Sequence, residues 1–483
     1  MNFKDLEAFL YPKSIAIIGA STKPYKFGGM FLKALLDFKY PGKIFPVNAG
    51  AAARGEKIQG LDAWNLENIK EQIDLVYITV PARQVPDELR KCAKKNFKSI
   101  IILTAGFKET GKEGRKIEDE CAKIIKEHGL RVIGPNCFGI YHPKGGVTLL
   151  PGGEFPHESG NVAMLSQSGG HSVNFVLIGQ SNCMRFSKVI SYGNAVDLDL
   201  PDFLECLNED PETDVIASYV EGVRDTEKFK NIIRQFRKPL VLWKSGLTED
   251  GARAAASHTG FLSGQSEIWK GFFRQFRDKL IAVNNFEELL DTTKALAFLP
   301  KLDKNIDYRK QIGVIGGGGG IGIEISDVAN QYGLKIPKLT AETQEQLKLL
   351  LPPDGTSINN PLDIGTPMFM GNYKRILEIF LEDPNISILI NDFIIDFVVD
   401  MKAVFRVIRN YLKDHKIPII VILRQLLKPT GSLALEKKYR KFRDRFQEIG
   451  VPIYPSFYRG IRALANYLRY YSLTFTIKGE SET

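Results

Sequence analysis

Cysteine is scarce in this chain, with five residues among 483, at Cys92, Cys121, Cys137, Cys183 and Cys206. Their odd number, wide spacing and lack of any CxxC argue against a disulfide framework and against a thiolate zinc site. No metal is expected on the chain, and a reducing, cytoplasmic setting fits. Histidine is nearly as rare, with six residues. No run of 18 uncharged apolar residues occurs, so no membrane span is expected. The start, MNFKDLEAFLYPKSIAIIGAS, carries charges where a secretory leader needs an apolar core. Two nucleotide fingerprints are also missing. The turn Gly19-Ala20-Ser21 is not GxGxxG, and Val47-Asn48 stands where an acid would hold a ribose, which disfavours NAD. No GKS or GKT follows a glycine run, which excludes a P-loop.

What is present describes an ordinary globular protein. The chain is 44% hydrophobic and 25% charged, with a mean hydropathy of -0.13. Its length suggests roughly three domains. The formal charge of +9 is spread along the sequence. The densest basic stretch, Lys437 to Arg445, alternates with aromatics and acids and reads as a solvated helix face. Nucleic acid is not expected as a partner, although a basic surplus helps to attract a polyanion such as CoA or a nucleotide.

Short apolar runs alternate with helical spacing. Ser14 to Gly19, Lys43 to Val47, Asp74 to Val80, Ser99 to Leu103 and Arg131 to Ile133 read as strands, with helices over Phe27 to Phe38 and Val85 to Lys95. The rhythm restarts with strands at Asn161 to Leu165, Arg185 to Ile190, Asp214 to Val220 and Pro239 to Trp243, and helices over Gly169 to Gly179 and Pro201 to Asn208. It restarts again with strands at Ile312 to Ile315, Ile386 to Ile390 and Ile419 to Leu423, a helix covering Ile323 to Ala329 and another over Tyr373 to Phe380. This pattern specifies an α/β protein of three Rossmann-like or flavodoxin-like domains, each a doubly wound parallel sheet. The expected boundaries are 1–142, 143–300, a charged linker over 301–311, 312–465, and a frayed tail over 466–483.

Three strand-to-helix turns stand out as anion sites, because the first N–H groups of a helix lack intrahelical partners and carry the positive end of its dipole. The first is Gly19 to Gly28, where Ser21 and Lys23 suit phosphate contacts; a helix cap with a surface lysine is the plainer alternative. The second is Ser166-Gln167-Ser168-Gly169-Gly170, otherwise a plain N-cap. The third is the run Gly316 to Gly320, whose entropic cost is explained if a phosphate must approach the backbone closely. Among the histidines, His258 lies in a loop of small residues, Ala255 to Gly260, that leaves an imidazole room to move. His171 follows the second turn and could simply line its helix. A nucleophilic imidazole needs an acid on its other nitrogen. Glu221, at the C-terminal end of a strand, is the best candidate, with Asp197 and Asp199 as weaker alternatives.

Six segments in order carry a family likeness: IAIIGAS at Ile15 to Ser21, GPNCFG at Gly134 to Gly139, LSQSGG at Leu165 to Gly170, YVEGVRD at Tyr219 to Asp225, ASHTG at Ala256 to Gly260, and NPLDIG at Asn360 to Gly365. With these the chain resembles the alpha subunits of NDP-forming acyl-CoA synthetases, the acetate–CoA ligase (ADP-forming) group, and more distantly that of succinyl-CoA synthetase. The resemblance implies CoA binding in the first domain, at Gly19, Ser21, Lys23, Asn48, Pro81 and Asn136. It places a phosphohistidine on His258 and its supporting acid on Glu221. The phosphate would lie at Ser166, Ser168, Gly169 and Gly170 and at Gly318, Gly319 and Gly320. The implied reaction interconverts acyl-CoA, ADP and phosphate with acid, CoA and ATP. It further implies an ATP-grasp beta subunit carrying ADP or ATP and Mg²⁺, in a hetero-oligomer such as a heterotetramer. A non-catalytic CoA-binding or acyl-CoA-sensing module is the alternative. Three departures from the family stand out: Asn48-Ala49 replaces the usual Asn-Pro, the run Gly316 to Gly320 is all glycine where relatives often vary one position, and Phe261 stands where small residues are common, which points away from acetate as the acyl group.

Overall fold

The computed structural model describes residues 3–149, 154–253, 266–302, 308–365, 371–396, 398, 400–425 and 433–480, with side chains omitted for 3–5 and 472–480. The expected loop from Ala254 to Gly264, with His258 and Phe261, lies outside the described residues.

The first sheet contains β1 (Ser14–Ile18), β2 (Lys43–Val47), β5 (Leu75–Ile78), β6 (Ser99–Ile102) and β7 (Arg131–Ile133). The strands are all parallel, in the order β2-β1-β5-β6-β7. A small hairpin, β3 (Lys57–Ile58) with β4 (Leu61–Asp62), follows β2. The second sheet contains β8 (Gly139–Tyr141), β9 (Ser159–Ser166), β10 (Phe186–Ser191), β11 (Val215–Val220), β12 (Leu240–Lys244) and β13 (Leu280–Val283), ordered β13-β12-β11-β9-β10-β8. Its edge strand β8 runs antiparallel to β10, so this sheet is mixed where the alternating pattern predicted a parallel one. Only three residues long, β8 is too short to show a period of its own. The third sheet contains β14 (Ile312–Gly316), β15 (Leu362–Asp363), β16 (Ile388–Ile394), β17 (Ile419–Arg424) and β18 (Ile453–Tyr454), ordered β15-β14-β16-β17-β18.

Setting β8 aside, all three sheets share one order. The first strand of each is flanked by the second on one side and the third on the other. The chain therefore reverses direction of travel across the sheet between its first and third strands. That reversal opens a crevice beyond their C-terminal ends, where ligands of α/β folds bind.

The apolar runs follow from burial on both faces, since successive strand residues point to opposite sides. In β1, Ile15 and Ile17 join a core that also holds Ala163, Leu165, Ile190 and Ile216 of the second sheet. Ala16 and Ile18 join a different core, with Val76, Ile100 and Val132. The first two sheets thus share one apolar core and form a single compact unit, residues 1–289; residues 290–483 form the other. Helix Phe286–Phe298 crosses that boundary. Helix Phe457–Glu480 runs through position 465, where the third domain was expected to end.

Candidate functional site

In the first sheet, β1 ends at Gly19, whose φ of +91° is open to glycine at little cost. A Cβ at this position would lie 2.6 Å from Thr79 Oγ1, at the end of β5. The backbone of β1 can therefore turn directly over the crevice. Ser21 Oγ accepts the Lys23 N–H at 3.1 Å and shapes the turn ahead of helix Phe27–Asp37. Lys23 and Lys26 are exposed. Asn48 caps helix Ala49–Ala53 by accepting the Ala51 N–H, and its amide donates to Ala20 O at 2.8 Å. It thereby ties the end of β2 to the Gly19 turn. Pro81 follows β5 and precedes the short helix Ala82–Gln84. Gly19, Ser21, Lys23, Asn48 and Pro81 thus gather around the crevice. Asn136 does not join them: it follows β7, beyond β5 and β6, and its amide faces Asn194 Oδ1 at 3.4 Å.

In the second sheet the crevice lies between β9 and β11, and here the polar groups converge. Ser166 Oγ donates to Ser168 O at 2.8 Å and accepts the Ser168 N–H at 3.1 Å. Ser168 caps helix Gly169–Ser181 by accepting the His171 N–H at 3.3 Å. The start of that helix is fixed from both sides.

Between the two serines, Gln167 is buried. Its amide oxygen accepts the N–H of Glu221 and, at 3.0 Å, that of Gly222. Those two bonds orient the amide, so Nε2 must donate elsewhere; it is buried and has no partner among the described residues. Glu221 Oε1 accepts the Tyr219 hydroxyl at 3.0 Å. Glu221 Oε2 is likewise buried without a partner among the described residues. Such an oxygen costs roughly 1–3 kcal/mol, more if charged, unless a donor arrives.

Lys244, at the end of β12, is 2% exposed. Burial pushes its ammonium down to about 8, against the pull of Glu221. The ammonium donates to Ser245 O and lies 5.5 Å from the Trp269 ring. The pattern of hydrophobic periodicity missed both Gln167 and Lys244. The signal that could have found them was a long polar residue ending an otherwise apolar strand.

His171 lies in the first helical turn and packs among aromatic rings, 4.5 Å from Tyr219 and 5.0 Å from Trp243. Burial holds its pKa below the ordinary histidine value. The two alternative acids are already engaged. Asp199 caps helix Leu200–Glu209 and accepts the Arg224 N–H at 2.9 Å. Asp197 accepts the Val132 N–H at 2.9 Å and pairs with Arg131 at 3.3 Å. Of the three acids, Glu221 is the one with a buried oxygen left over among the described residues.

The third sheet, in the second unit, repeats the arrangement. Gly318, at φ +112°, precedes helix Gly319–Gln331. Its N–H donates to Asp363 Oδ1 at 2.9 Å, and the same oxygen accepts the Gly365 N–H at 2.9 Å. The Gly318 amide is therefore held by a resident carboxylate, and Gly319 and Gly320 lie in the first helical turn. Gly316 to Gly319 line a cleft of about 310 Å³ with Ile321, Pro361 and Asp363. Beside it, Asp392 forms a two-pronged ion pair with Arg424 at 2.8 and 2.7 Å.

Among the described residues no cluster of three or more His, Cys, Asp or Glu could hold a metal. No described helix is long and apolar enough to cross a membrane.

Comparison with known proteins defines the class first. Residues 13–143 match the CoA binding domain family, 159–296 the succinyl-CoA ligase like flavodoxin domain, and 312–422 the ligase-CoA domain. The chain is 36% identical over 390 residues to the alpha subunit of acetate–CoA ligase [ADP-forming] II of Pyrococcus furiosus, covering 80% of this chain and 81% of that one. It is 35% identical to acetate–CoA ligase [ADP-forming] I of Archaeoglobus fulgidus, covering 80% of this chain but 54% of that protein. Among solved structures, the dinucleotide forming acetyl-coenzyme A synthetase 1 of Ca. Korarchaeum cryptofilum, in complex with phosphate and ADP, superposes with a TM-score of 0.83 at 27% identity, covering 98% of this chain and 99% of that chain. The chain belongs to the family of ADP-forming acetate–CoA ligase alpha subunits.

Proposed function

We propose that this chain is the CoA- and phosphate-handling half of an ADP-forming acyl-CoA synthetase, completed by an ATP-grasp beta subunit that carries the nucleotide and Mg²⁺. The buried Glu221 Oε2, which has no partner among the described residues, beside the capped helix start at Ser168 carries the reading. A carboxylate placed this way orients an imidazole, fixes its tautomer and stabilises the ring once it bears a phosphoryl group. We assign that imidazole to His258.

The reaction proceeds in three transfers. Inorganic phosphate attacks the thioester carbonyl, the C–S bond breaks, and CoA leaves as the acyl phosphate forms. The His258 nitrogen then takes the phosphoryl group and releases the carboxylic acid. Finally ADP accepts that group to give ATP. The amides that begin helix Gly169–Ser181, with Ser166 and Ser168, offset the phosphate charge; in the second unit, Gly319 and Gly320 begin a helix of the same kind. Gly19, Ser21, Lys23, Asn48 and Pro81 line the CoA crevice. The cytoplasm is the expected location, a hetero-oligomer the expected assembly, and Phe261 is a candidate to shape the acyl pocket.

The test is to mix the chain with its partner, labelled ATP and Mg²⁺. An acid-labile, base-stable phosphoprotein is expected, and the label disappears in His258→Ala. Label retained by that variant removes His258 from the mechanism. CoA binding to the isolated chain without any label from ATP would favour a sensing module instead.

A further inference from the structure

The first two sheets are joined by more than a shared apolar core. Asn194, in the loop after β10, is 2% exposed, yet its polar atoms reach consistently toward the first sheet. Its Nδ2 donates to Glu109 Oε2 at 2.6 Å and to Glu118 Oε2 at 2.9 Å. Its Oδ1 accepts from Asn136 Nδ2 at 3.4 Å. Its backbone N–H donates to Pro135 O at 2.9 Å, and its carbonyl accepts the Lys108 ammonium at 2.7 Å.

These bonds continue in both directions. Glu109 Oε1 accepts the N–H of Gly106 at 2.6 Å and of Phe107 at 3.0 Å. Burial would raise the Glu109 pKa, but the Asn194 amide and those two N–H groups outweigh it and hold the carboxyl below its ordinary value. The same loop is anchored to the CoA crevice, because Thr104 Oγ1 donates to Val80 O at 2.7 Å, one residue before Pro81. On the other side, the Tyr192 N–H donates to Ser166 O at 2.9 Å. Ala195, next to Asn194, is held at φ +57°, a left-handed conformation that costs a non-glycine residue about 1 kcal/mol or more unless its surroundings enforce it.

We propose that Asn194 is a positioning residue that fixes the distance between the CoA crevice of the first sheet and the phosphate-holding helix start of the second. The inference rests on the reaction assigned above, in which a thioester held by one sheet must meet a phosphate held by the other. A primary amide suits the place: its two N–H groups serve two carboxylates while its oxygen accepts a third bond. Misplacement of reacting groups by about 1 Å costs on the order of 100-fold in rate without removing any group that touches substrate.

The experiment uses the complex with the beta subunit and two variants, Asn194→Leu and Asn194→Asp. Both are expected to bind CoA within about twofold of wild type by calorimetry and to accept label from ATP normally, because neither step spans the two sheets. The kcat for acyl-CoA formation is expected to fall about 30- to 100-fold, with KM for CoA little changed. In Asn194→Asp a third carboxyl faces Glu109 and Glu118, with the Lys108 ammonium beside them, so its pKa is raised. Protonation restores an O–H donor. Its kcat relative to wild type therefore rises as pH falls from about 8 to 6, and that of Asn194→Leu does not.

A folded Asn194→Leu with kcat within about threefold of wild type overturns the proposal. So does a parallel loss of CoA affinity and label, or a flat pH ratio for Asn194→Asp. Should neither variant fold, Glu109→Gln carries the test, with reduced kcat at unchanged CoA affinity expected and unchanged kcat overturning it. A wild-type complex that takes no label refutes the underlying reaction, whereas a labelled wild type beside a fast Asn194→Leu refutes only the positioning role.

Discussion

The amide oxygen of Gln167 accepts the backbone N–H groups of both Glu221 and Gly222, so the end of β9 sets the backbone position of the acid at the end of β11. Gln167→Leu leaves the buried N–H of Glu221 and the half-buried N–H of Gly222 without that acceptor. It should destabilise the protein by about 2–4 kcal/mol, since each orphaned buried donor costs about 1–3 kcal/mol with partial relief by relaxation. Phosphorylation by labelled ATP should slow at least about tenfold, because Glu221 loses its placement. Denaturant melts and single-turnover labelling measure the two effects separately.

Gly19→Ala tests the CoA crevice. The new Cβ would lie 2.6 Å from Thr79 Oγ1, on a backbone at φ +91°. Either the Gly19 turn or β5 must shift. CoA affinity measured by calorimetry should fall by about 100-fold or more, the equivalent of roughly 3 kcal/mol. Labelling by ATP, which the proposed reaction does not route through the Gly19 turn, should persist.

Lys244 gives a pH signature. Its ammonium is depressed to about 8 from an ordinary value of 10.5. Between those values the unfolded chain binds more protons than the folded one, so stability rises with pH across that window. Below about 8 the buried charge opposes folding in full. Lys244→Met should therefore be more stable than wild type at neutral pH, by on the order of 2 kcal/mol, and should lack the rise between about 8 and 10.5. Melting temperatures measured from pH 6 to 10.5 test both statements.

Asp363 holds the third turn together. Asp363→Ala frees the N–H groups of Gly318 and Gly365 at once. Water can replace part of what is lost at this partly open site, so a cost of about 1–2 kcal/mol is expected. Asp363→Asn should recover most of it, since an amide oxygen still accepts both donors. Denaturant melts of the three proteins decide this.

Much of the architecture could be read from residue patterns because β1, β5, β9 and β14 are covered on both faces and carry uninterrupted apolar runs. Helix Gly169–Ser181 was legible from Ser168 and the two glycines after it. The three-residue edge strand β8 was not, because its pairing depends on β10, 52 residues away in sequence by the register of Ser191 with Gly139. Local pattern also gave no sign of the long charged helix Lys112–His128, whose polar face dilutes the apolar spacing, and showed helix Leu433–Glu448 only through its basic stretch Lys437 to Arg445. At the site, Ser166, Ser168 and Glu221 were legible as strand-end residues. Gln167 was hidden because its role lies in two long-range bonds to the backbone of another strand. Asn136 was read as part of the CoA crevice, whereas β7 carries it to the loop of Asn194.

The core shared by Ile15 and Ile17 with Leu165 and Ile190 has a practical consequence. Cutting the chain after residue 142 would leave one side of the CoA-binding sheet bare of its oily cover. The fragment would be sticky and prone to clump, and could not serve as a portable carrier of the cofactor. Residues 3–289 should instead melt in one cooperative step, with no separate transition for the first sheet.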